Sequence, residues 1–315
     1  MSKPRKPRPR HRYSIGEWYG VGFHILTPTQ RFQNAKREQR LNALSGDPCP
    51  FAPGLTCNKK GGVCSLLLYE QTPPGPTSGS GTPVTTCPRR FLQDQLIFQW
   101  IGDTILGTKT PLVLDQIGFL DRLRPGSSPT KEGDGRDFIG KIDNVLVHPT
   151  RRDPVDWCAV ELQAVYFSGK AMSNEFAMLA AQEFPSIPFP AKQRRPDWRS
   201  SGPKRLLPQL QTKVPTIARW GKKTAVVIDE AFFGSLVGLR SVGHISNAEI
   251  VWFVVGFDPS PTGWRLARRK VVFTDLDASV EALTGGVPLP RPDFEKQIIA
   301  ALAKKVPAHP LTRPA

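Results

Sequence analysis

The 315-residue sequence lacks any apolar run of membrane-spanning length, and no hydrophobic segment of the signal-peptide type follows its basic amino end. It also has no internal repeat. Acidic residues are scarce, with 27 Asp and Glu against 43 Lys and Arg, which leaves a net charge of +16. We therefore expect a cytoplasmic protein with a polyanionic partner, of which nucleic acid is the commonest, and simple solubility is the alternative reading of the charge.

Cysteines are few and lie mostly in one region of the chain. Their odd number in a cytoplasmic chain argues against a disulfide framework. Four of them lie in a stretch rich in Gly, Pro and Lys, with seven, six and twenty-two intervening residues instead of the two-residue spacing of common zinc knuckles. These are Cys49, Cys57, Cys64 and Cys87. We predict a four-thiolate metal site, with four reduced thiols in a small module as the alternative, and the ligand type suits iron and zinc equally.

Two apolar segments on either side of a polar, Pro-bounded turn predict a β-hairpin with arms at 138–148 and 157–167. Both arms carry polar residues in mid-strand, namely Asp143 on the first and Glu161 and Gln163 on the second. Side chains two residues apart on a strand share a face, and the hairpin brings Asp143 to that face as well. Because an unpaired carboxylate is costly in a protein core, we expect these groups to face a cleft or a metal ion.

Two carboxylates and an amide oxygen form the hard, oxygen-rich ligand set that Mg²⁺ prefers. A metal held in this way polarises a phosphate and generates a hydroxide nucleophile. An acid on one strand followed by Glu-x-Gln on the next resembles the core of the PD-(D/E)xK nucleases. Gln163 stands where lysine is commonest in that pattern, and a neutral amide positions water without acidifying it, so activation would depend more on the metal.

Helical and strand periodicities alternate along the rest of the chain and predict an α/β fold with a mixed sheet flanked by helices. The resemblance of the hairpin implies that this is a PD-(D/E)xK restriction-endonuclease-like core, to which the small four-cysteine metal-binding module is added. Residues 111–123 are predicted as a helix, and 73–83 as a loop rich in Pro, Gly and Ser. The domain prediction comprises a basic disordered arm at 1–12, an N-terminal region with the cysteine module at 13–91, a core at 92–305 with a basic loop at 185–222, and a loose tail at 306–315.

Taken together, several motifs resemble the NotI-like family of type II restriction endonucleases. They are E-W-Y-G at 17–20, the C-P-F and C-P-R-R-F cysteines, I-D followed by E-L-Q, and D-W-R-S-S-G-P-K-R-L-L-P-Q-L-Q-T-K-V-P with R-W-G-K-K after it. The resemblance spans roughly residues 13 to 260. It implies a bacterial, homodimeric, Mg²⁺-dependent enzyme that cuts both strands of a palindromic, GC-rich DNA site, alongside a methyltransferase that shares the site without needing to bind the enzyme.

Carried over by position, the resemblance makes Asp143, Glu161 and Gln163 the catalytic set, with Asp143 and Glu161 as Mg²⁺ ligands. It also makes the four clustered cysteines the ligands of a structural iron, with zinc as the alternative. Cys158 is left over and is expected in the core.

The basic loop is the predicted DNA-binding segment. Short hydroxyls and backbone amides before a helix suit phosphate, and arginines suit guanine in the major groove. The candidate residues are Arg199, Ser200, Ser201, Lys204 and Arg205. A solvated basic loop is the alternative.

Three other functions fit part of this pattern. A non-catalytic DNA-binding protein would use the cysteine module and basic loops for binding alone. A repair or recombination nuclease would use the same core to read DNA shape instead of sequence. A phosphatase or small-molecule hydrolase would use the acids but leaves the positive charge unexplained.

Overall fold

The computed structural model describes residues 8–40, 47–73, 75–121, 138–150, 154–169, 171–285 and 289–303. The strands, in chain order, are β1 (Arg10–Trp18), β2 (Val21–Gly22), β3 (Val63–Gln71), β4 (Thr77–Thr85), β5 (Leu112–Asp121), β6 (Phe138–Val147), β7 (Trp157–Leu162), β8 (Phe167–Gly169), β9 (Arg194–Pro196), β10 (Thr224–Asp229), β11 (Ile250–Ser260) and β12 (Gly263–Thr274).

The α-helices of the same residues are α1 (Pro28–Arg40), α2 (Leu96–Ile101), α3 (Ser173–Ala181), α4 (Trp198–Ser201), α5 (Leu207–Arg219), α6 (Glu230–Ser235), α7 (Leu276–Thr284) and α8 (Arg291–Ala303). A 3₁₀ segment, Pro88–Gln95, leads into α2, and a π-helical turn, Gly202–Leu206, joins α4 to α5. None of the helices in the described part of the chain has both the length and the apolar content to cross a membrane.

The largest sheet has six strands in the order β12-β11-β10-β7-β6-β5. It is mixed, because β10 pairs in parallel with β7 and β11 while the other neighbours are antiparallel. Every residue of β10 is buried, and so are the first eight of β11, as their continuous Val- and Ile-rich runs predict for strands covered on both faces. This sheet confirms the expected mixed α/β architecture.

Helices cover both faces of this sheet. On one face Ile97, Phe98 and Ile101 of α2 pack against Val160, Val227 and Phe253. On the other, Leu210 and Val214 of α5 pack against Val226 and Trp252. Residues at positions 210, 213, 214 and 217 are buried, which is the i, i+3, i+4, i+7 pattern of a helix that faces a core.

A second sheet of four strands, in the order β2-β1-β3-β4, forms the N-terminal region. Its core contains Trp18, Leu66 and Tyr69, and it packs against α1 and α3 through Ala35 and Leu179. The cysteine module lies beside this sheet, with Cys64 on β3 and Cys87 two residues after the end of β4.

The predicted hairpin is confirmed, since β6 and β7 pair antiparallel with Asn144 opposite Val160. Its second arm is shorter than predicted, because β7 ends at Leu162 and Phe167 belongs to β8, which pairs with β9 in a separate sheet. The predicted helix at 111–123 is wrong. Leu112–Asp121 forms the edge strand β5, whose backbone pairs with the outer side of β6. The apolar spacing of this segment also fits a strand, and long-range pairing with β6 outweighs its local preference.

The predicted loop at 73–83 is largely the strand β4. Its small residues permit close pairing, because a Cβ built at Gly79 would lie 2.6 Å from the side chain of Leu67. The strand β1 begins at Arg10, inside the segment predicted as a disordered arm, and Arg10 pairs with Gln71 of β3. Residues 1–7 and the tail at 306–315 lie outside the described residues.

Candidate active site

The two acids of the hairpin are neighbours across paired strands. Val145 lies opposite Ala159 and Asn144 opposite Val160, so one further step in this register sets Asp143 opposite Glu161. Residues directly opposite each other share a face of the sheet. The backbone N–H of Leu162 donates a hydrogen bond to Oδ2 of Asp143 at 3.1 Å, which holds this carboxylate beside β7. The expected convergence of the two acids therefore follows from strand pairing.

The two carboxylates differ in environment. Asp143 is exposed, whereas Glu161 is 2% exposed beneath α5. Lys213 of α5 donates a hydrogen bond from Nζ to Oε1 of Glu161 at 2.6 Å. Burial raises the pKa of Glu161 to about 7, the charge of Asp143 acts in the same direction, and Lys213 opposes both.

Gln163 lies just beyond the end of β7, so strand alternation does not set its direction. Its backbone N–H continues the parallel ladder by donating to the carbonyl of Val227 at 3.0 Å. Its side-chain amide donates to the carbonyl of Ala164 at 2.6 Å. Gln163 is 9% exposed and lines the same cavity as Asp143.

This cavity has a volume of about 740 Å³ and lies between the end of β7, the cysteine module and the basic loop. Its polar lining includes Asp143 and Gln163 together with the cations Lys59, Lys204 and Arg205. The π-helical turn before α5 presents Lys204 and Arg205, both of which are exposed. The guanidinium of Arg205 lies 3.5 Å from the ring centroid of Tyr166, a cation–π contact that orients it. An anionic ligand at Asp143 would therefore meet positive charge.

The other candidate residues of the basic loop serve partly to shape it. Ser200 donates from its backbone N–H and its hydroxyl to the carboxylate of Asp197, both at 2.9 Å, as at a helix N-cap. Ser201 is fully buried, and its hydroxyl accepts from the N–H of Tyr166 and donates to the carbonyl of Asp197. Arg199 is exposed. In this conformation the serine hydroxyls are engaged within the protein, and the exposed cations are the groups available to an anionic ligand.

The four clustered cysteines are all buried, and Cys158 is buried separately in the main core, as expected. The N–H groups of Cys49 and Cys57 donate to the carbonyls of Leu55 and Asp47, which closes a tight loop. Burial lowers the pKa of Lys59, while the nearby thiols of Cys87, Cys64 and Cys57 raise it. The donor chemistry thus fits a thiolate site, yet no group of three or more His, Cys, Asp or Glu side chains among the described residues is arranged to hold a metal ion.

Lys213 and Gln209 are the site residues that sequence reasoning missed. Gln209 lies one turn before Lys213 and accepts a hydrogen bond from its Nζ at 3.2 Å. A signal for Lys213 was present, because it falls on the buried stripe of α5 that includes Leu210, Val214 and Ile217. A lysine within an apolar helical stripe must find an anionic partner, and Glu161 is that partner.

Comparison with known protein families places these residues in context. The family model described as restriction endonuclease NotI matches residues 34–267, which is most of the chain. The matched range contains Asp143, Glu161, Gln163, Lys213 and the four clustered cysteines. No curated protein sequence matched the chain.

Proposed function

Because the chain belongs to the NotI restriction endonuclease family and is therefore a site-specific deoxyribonuclease, we propose that it is a type II enzyme that uses Mg²⁺ to hydrolyse both strands of a palindromic, GC-rich DNA site, leaving 5′-phosphates. The observation that carries this proposal is the exposed carboxylate of Asp143 beside Glu161, at a cavity lined by Lys204 and Arg205. It supports a PD-(D/E)xK type of core.

The donor set suits a divalent metal, since two carboxylates from adjacent strands supply hard oxygen ligands. Asp143 and Glu161 would hold Mg²⁺, and the bound ion would supply Lewis-acid polarisation of the scissile phosphate and a more acidic water. Gln163 would orient the attacking water through its side-chain amide. Lys204 and Arg205 would position the flanking phosphates, with Arg199 reaching outward to DNA.

Ser200 and Ser201 are proposed to act through the loop that they shape. Their hydrogen bonds to Asp197 and Tyr166 hold the segment that presents Lys204 and Arg205. Backbone N–H groups of the same segment remain candidates for phosphate contact.

Cleavage of both strands needs two active sites related by the symmetry of the DNA, so we propose a homodimer with one site per protomer. Its place of action would be the bacterial cytoplasm, where a methyltransferase of the same specificity would protect the host DNA. The size of the protein in solution, by light scattering, tests the dimer.

We further propose that Cys49, Cys57, Cys64 and Cys87 hold a structural iron, with zinc as the alternative. Their common burial in one module and the neighbouring Lys59, which would offset negative charge, support the proposal. Elemental analysis and the visible spectrum of the purified protein distinguish the metals, because thiolate-bound ferric iron is red and zinc is colourless. A protein free of both metals would contradict this proposal.

The test of the main function is digestion of a large, sequenced, unmethylated DNA with Mg²⁺, with Glu161→Ala and Asp143→Asn beside the wild type. We expect discrete wild-type ends that share one palindrome, and no such ends from either variant. Retained salt-sensitive binding without cutting by the wild type would instead indicate a DNA-binding protein. Wild-type cutting without a common sequence would indicate a nuclease that reads DNA shape.

A further inference from the structure

The only cation bonded to the buried acid of the site, within the part of the chain that the structure describes, comes from a helix distant in sequence. Lys213 is 5% exposed and lies on the face of α5 that packs against the sheet. It is 52 residues from Glu161 along the chain, and their side chains meet at 2.6 Å. The contact depends on the packing of α5 over β7.

Lys213, like the buried Arg31 and Arg194, has more N–H donors than acceptors among the described residues. Arg90 donates to Glu17, Gln93 and the carbonyl of Trp264, and Arg194 likewise donates to Glu175 and to backbone carbonyls. Lys213 has three N–H donors, yet its acceptors among the described residues are Glu161 and Gln209. One N–H of Lys213 therefore has no acceptor among the described residues, and this N–H belongs to the cation that holds Glu161.

The site also lacks a cation on the strand itself. Gln163 is neutral and occupies the position where the strand pattern most often has lysine, while Glu161 accepts a hydrogen bond from an ammonium group that arrives from α5. A charge supplied from the helix thus reaches the carboxylate beside which the strand pattern of these nucleases has its lysine. A buried ion pair is an expensive way to stabilise a fold, because apolar residues of similar volume are often as good or better.

We propose that Lys213 is a positioning residue of the active site, which fixes the carboxylate of Glu161 and directs its remaining N–H towards the attacking water or the scissile phosphate. This inference rests on the proposed nuclease function. It makes Lys213 the helix-borne substitute for the strand lysine that Gln163 replaces.

The test compares Lys213→Met, Lys213→Arg and the double variant Gln163→Lys/Lys213→Met with the wild type. Cleavage rate is measured under single turnover with Mg²⁺, DNA affinity with Ca²⁺ in its place, and thermal stability without metal. We expect Lys213→Met to lose about 100-fold or more in cleavage rate, as when one aimed electrostatic donor is removed. Its DNA affinity should stay within about threefold of the wild type.

Recovery of the cleavage rate by a replacement cation distinguishes a positioning role of Lys213 from a purely structural one. Lys213→Arg should recover part of the rate, and a lysine placed at position 163 in the Met background should recover at least about tenfold, because it returns a cation to the same carboxylate. A Lys213→Met protein that cuts within about threefold of the wild type would overturn the inference. A second result would also overturn it: neither Lys213→Arg nor the lysine at position 163 restores the cleavage rate, and Lys213→Met lowers DNA affinity and thermal stability together.

Lys223→Met is the matched control. Lys223 directly precedes β10 and is not among the residues that line the cavity, and its ammonium group donates to the carbonyls of Ser246 and Ala248. This control should cut at the wild-type rate. If the wild type and the control both fail to cut, the proposed function fails and this inference with it. If both cut and Lys213→Met cuts equally fast, only the inference fails.

Discussion

Four acidic side chains are buried in the part of the chain that the structure describes, namely Glu17, Glu161, Glu175 and Asp229. Burial of a charge is costly, so each has hydrogen-bond donors. Three are paired with a buried Arg or Lys side chain. Asp229 is held instead by the backbone N–H groups of Thr85 and Phe232. Burial outweighs these donors and raises the pKa of Asp229 from its ordinary value of 3.8 to about 6.

This shift predicts a pH dependence of stability. A raised pKa means that the folded protein binds the proton more tightly, so the contribution of Asp229 is complete below about pH 4 and is lost as the pH rises to about 6. Asp229→Asn removes the titration. Between pH 4 and 7 the free energy of unfolding of the wild type should therefore fall relative to that of the variant, by about 3 kcal/mol for a shift of about two units. Urea unfolding at several pH values measures this, and parallel curves for the two proteins would refute it.

At the scale of elements, a buried ion pair connects the two sheets. Arg90, in the 3₁₀ segment before α2, donates from Nε to both carboxylate oxygens of Glu17 on β1 and from a terminal nitrogen to the carbonyl of Trp264 on β12. Both side chains are fully buried, and Ser65 of β3 donates to the same carboxylate. The contact ties the N-terminal sheet and its cysteine module to the six-stranded sheet.

Arg90→Met should lower the free energy of unfolding by about 3–5 kcal/mol, because it leaves the carboxylate of Glu17 buried without its partner. Adding Glu17→Gln should recover part of this loss, since the remaining group is then neutral. Denaturant unfolding of the single and double variants measures the coupling. Arg240→Met is the control, because the ion pair of Arg240 with Glu281 is exposed and should contribute little. An Arg90→Met protein as stable as the control would contradict the assigned role.

For the whole molecule, the positive charge and the position of the basic loop predict strong salt dependence of DNA binding. Lys204 and Arg205 line the cavity that contains Asp143, and the chain carries a net charge of +16. Each phosphate contact releases counterions, so the logarithm of affinity should fall linearly with the logarithm of salt concentration. Lys204→Ala should reduce that slope by about one and weaken binding to all sequences alike.

Fluorescence anisotropy with cognate and unrelated duplexes, in Ca²⁺ to prevent cutting, gives these slopes. Arg240→Ala again serves as the control, since its charge lies in an exposed ion pair outside the cavity. Equal slopes for Lys204→Ala and the wild type would show that Lys204 does not contact a phosphate.

The features that the sequence alone determined are those encoded by short-range patterns. The hairpin of β6 and β7 followed from two apolar segments around a polar turn, and their pairing then set Asp143 opposite Glu161. The buried strand β11 followed from an uninterrupted apolar run. The alternation of helices and buried strands likewise predicted the mixed α/β sheet. Each of these predictions rests on the apolar pattern within short segments of the chain.

Tertiary structure decided what depends on contacts between segments far apart in the chain. The segment Leu112–Asp121 is a strand because the edge of β6 offers backbone partners, although its apolar spacing also suits a helix. Lys213 meets Glu161 because α5 packs over β7, and no local pattern links the two residues. Strand and helix periods describe one element at a time, whereas the electrostatics of a buried carboxylate depend on every element that surrounds it.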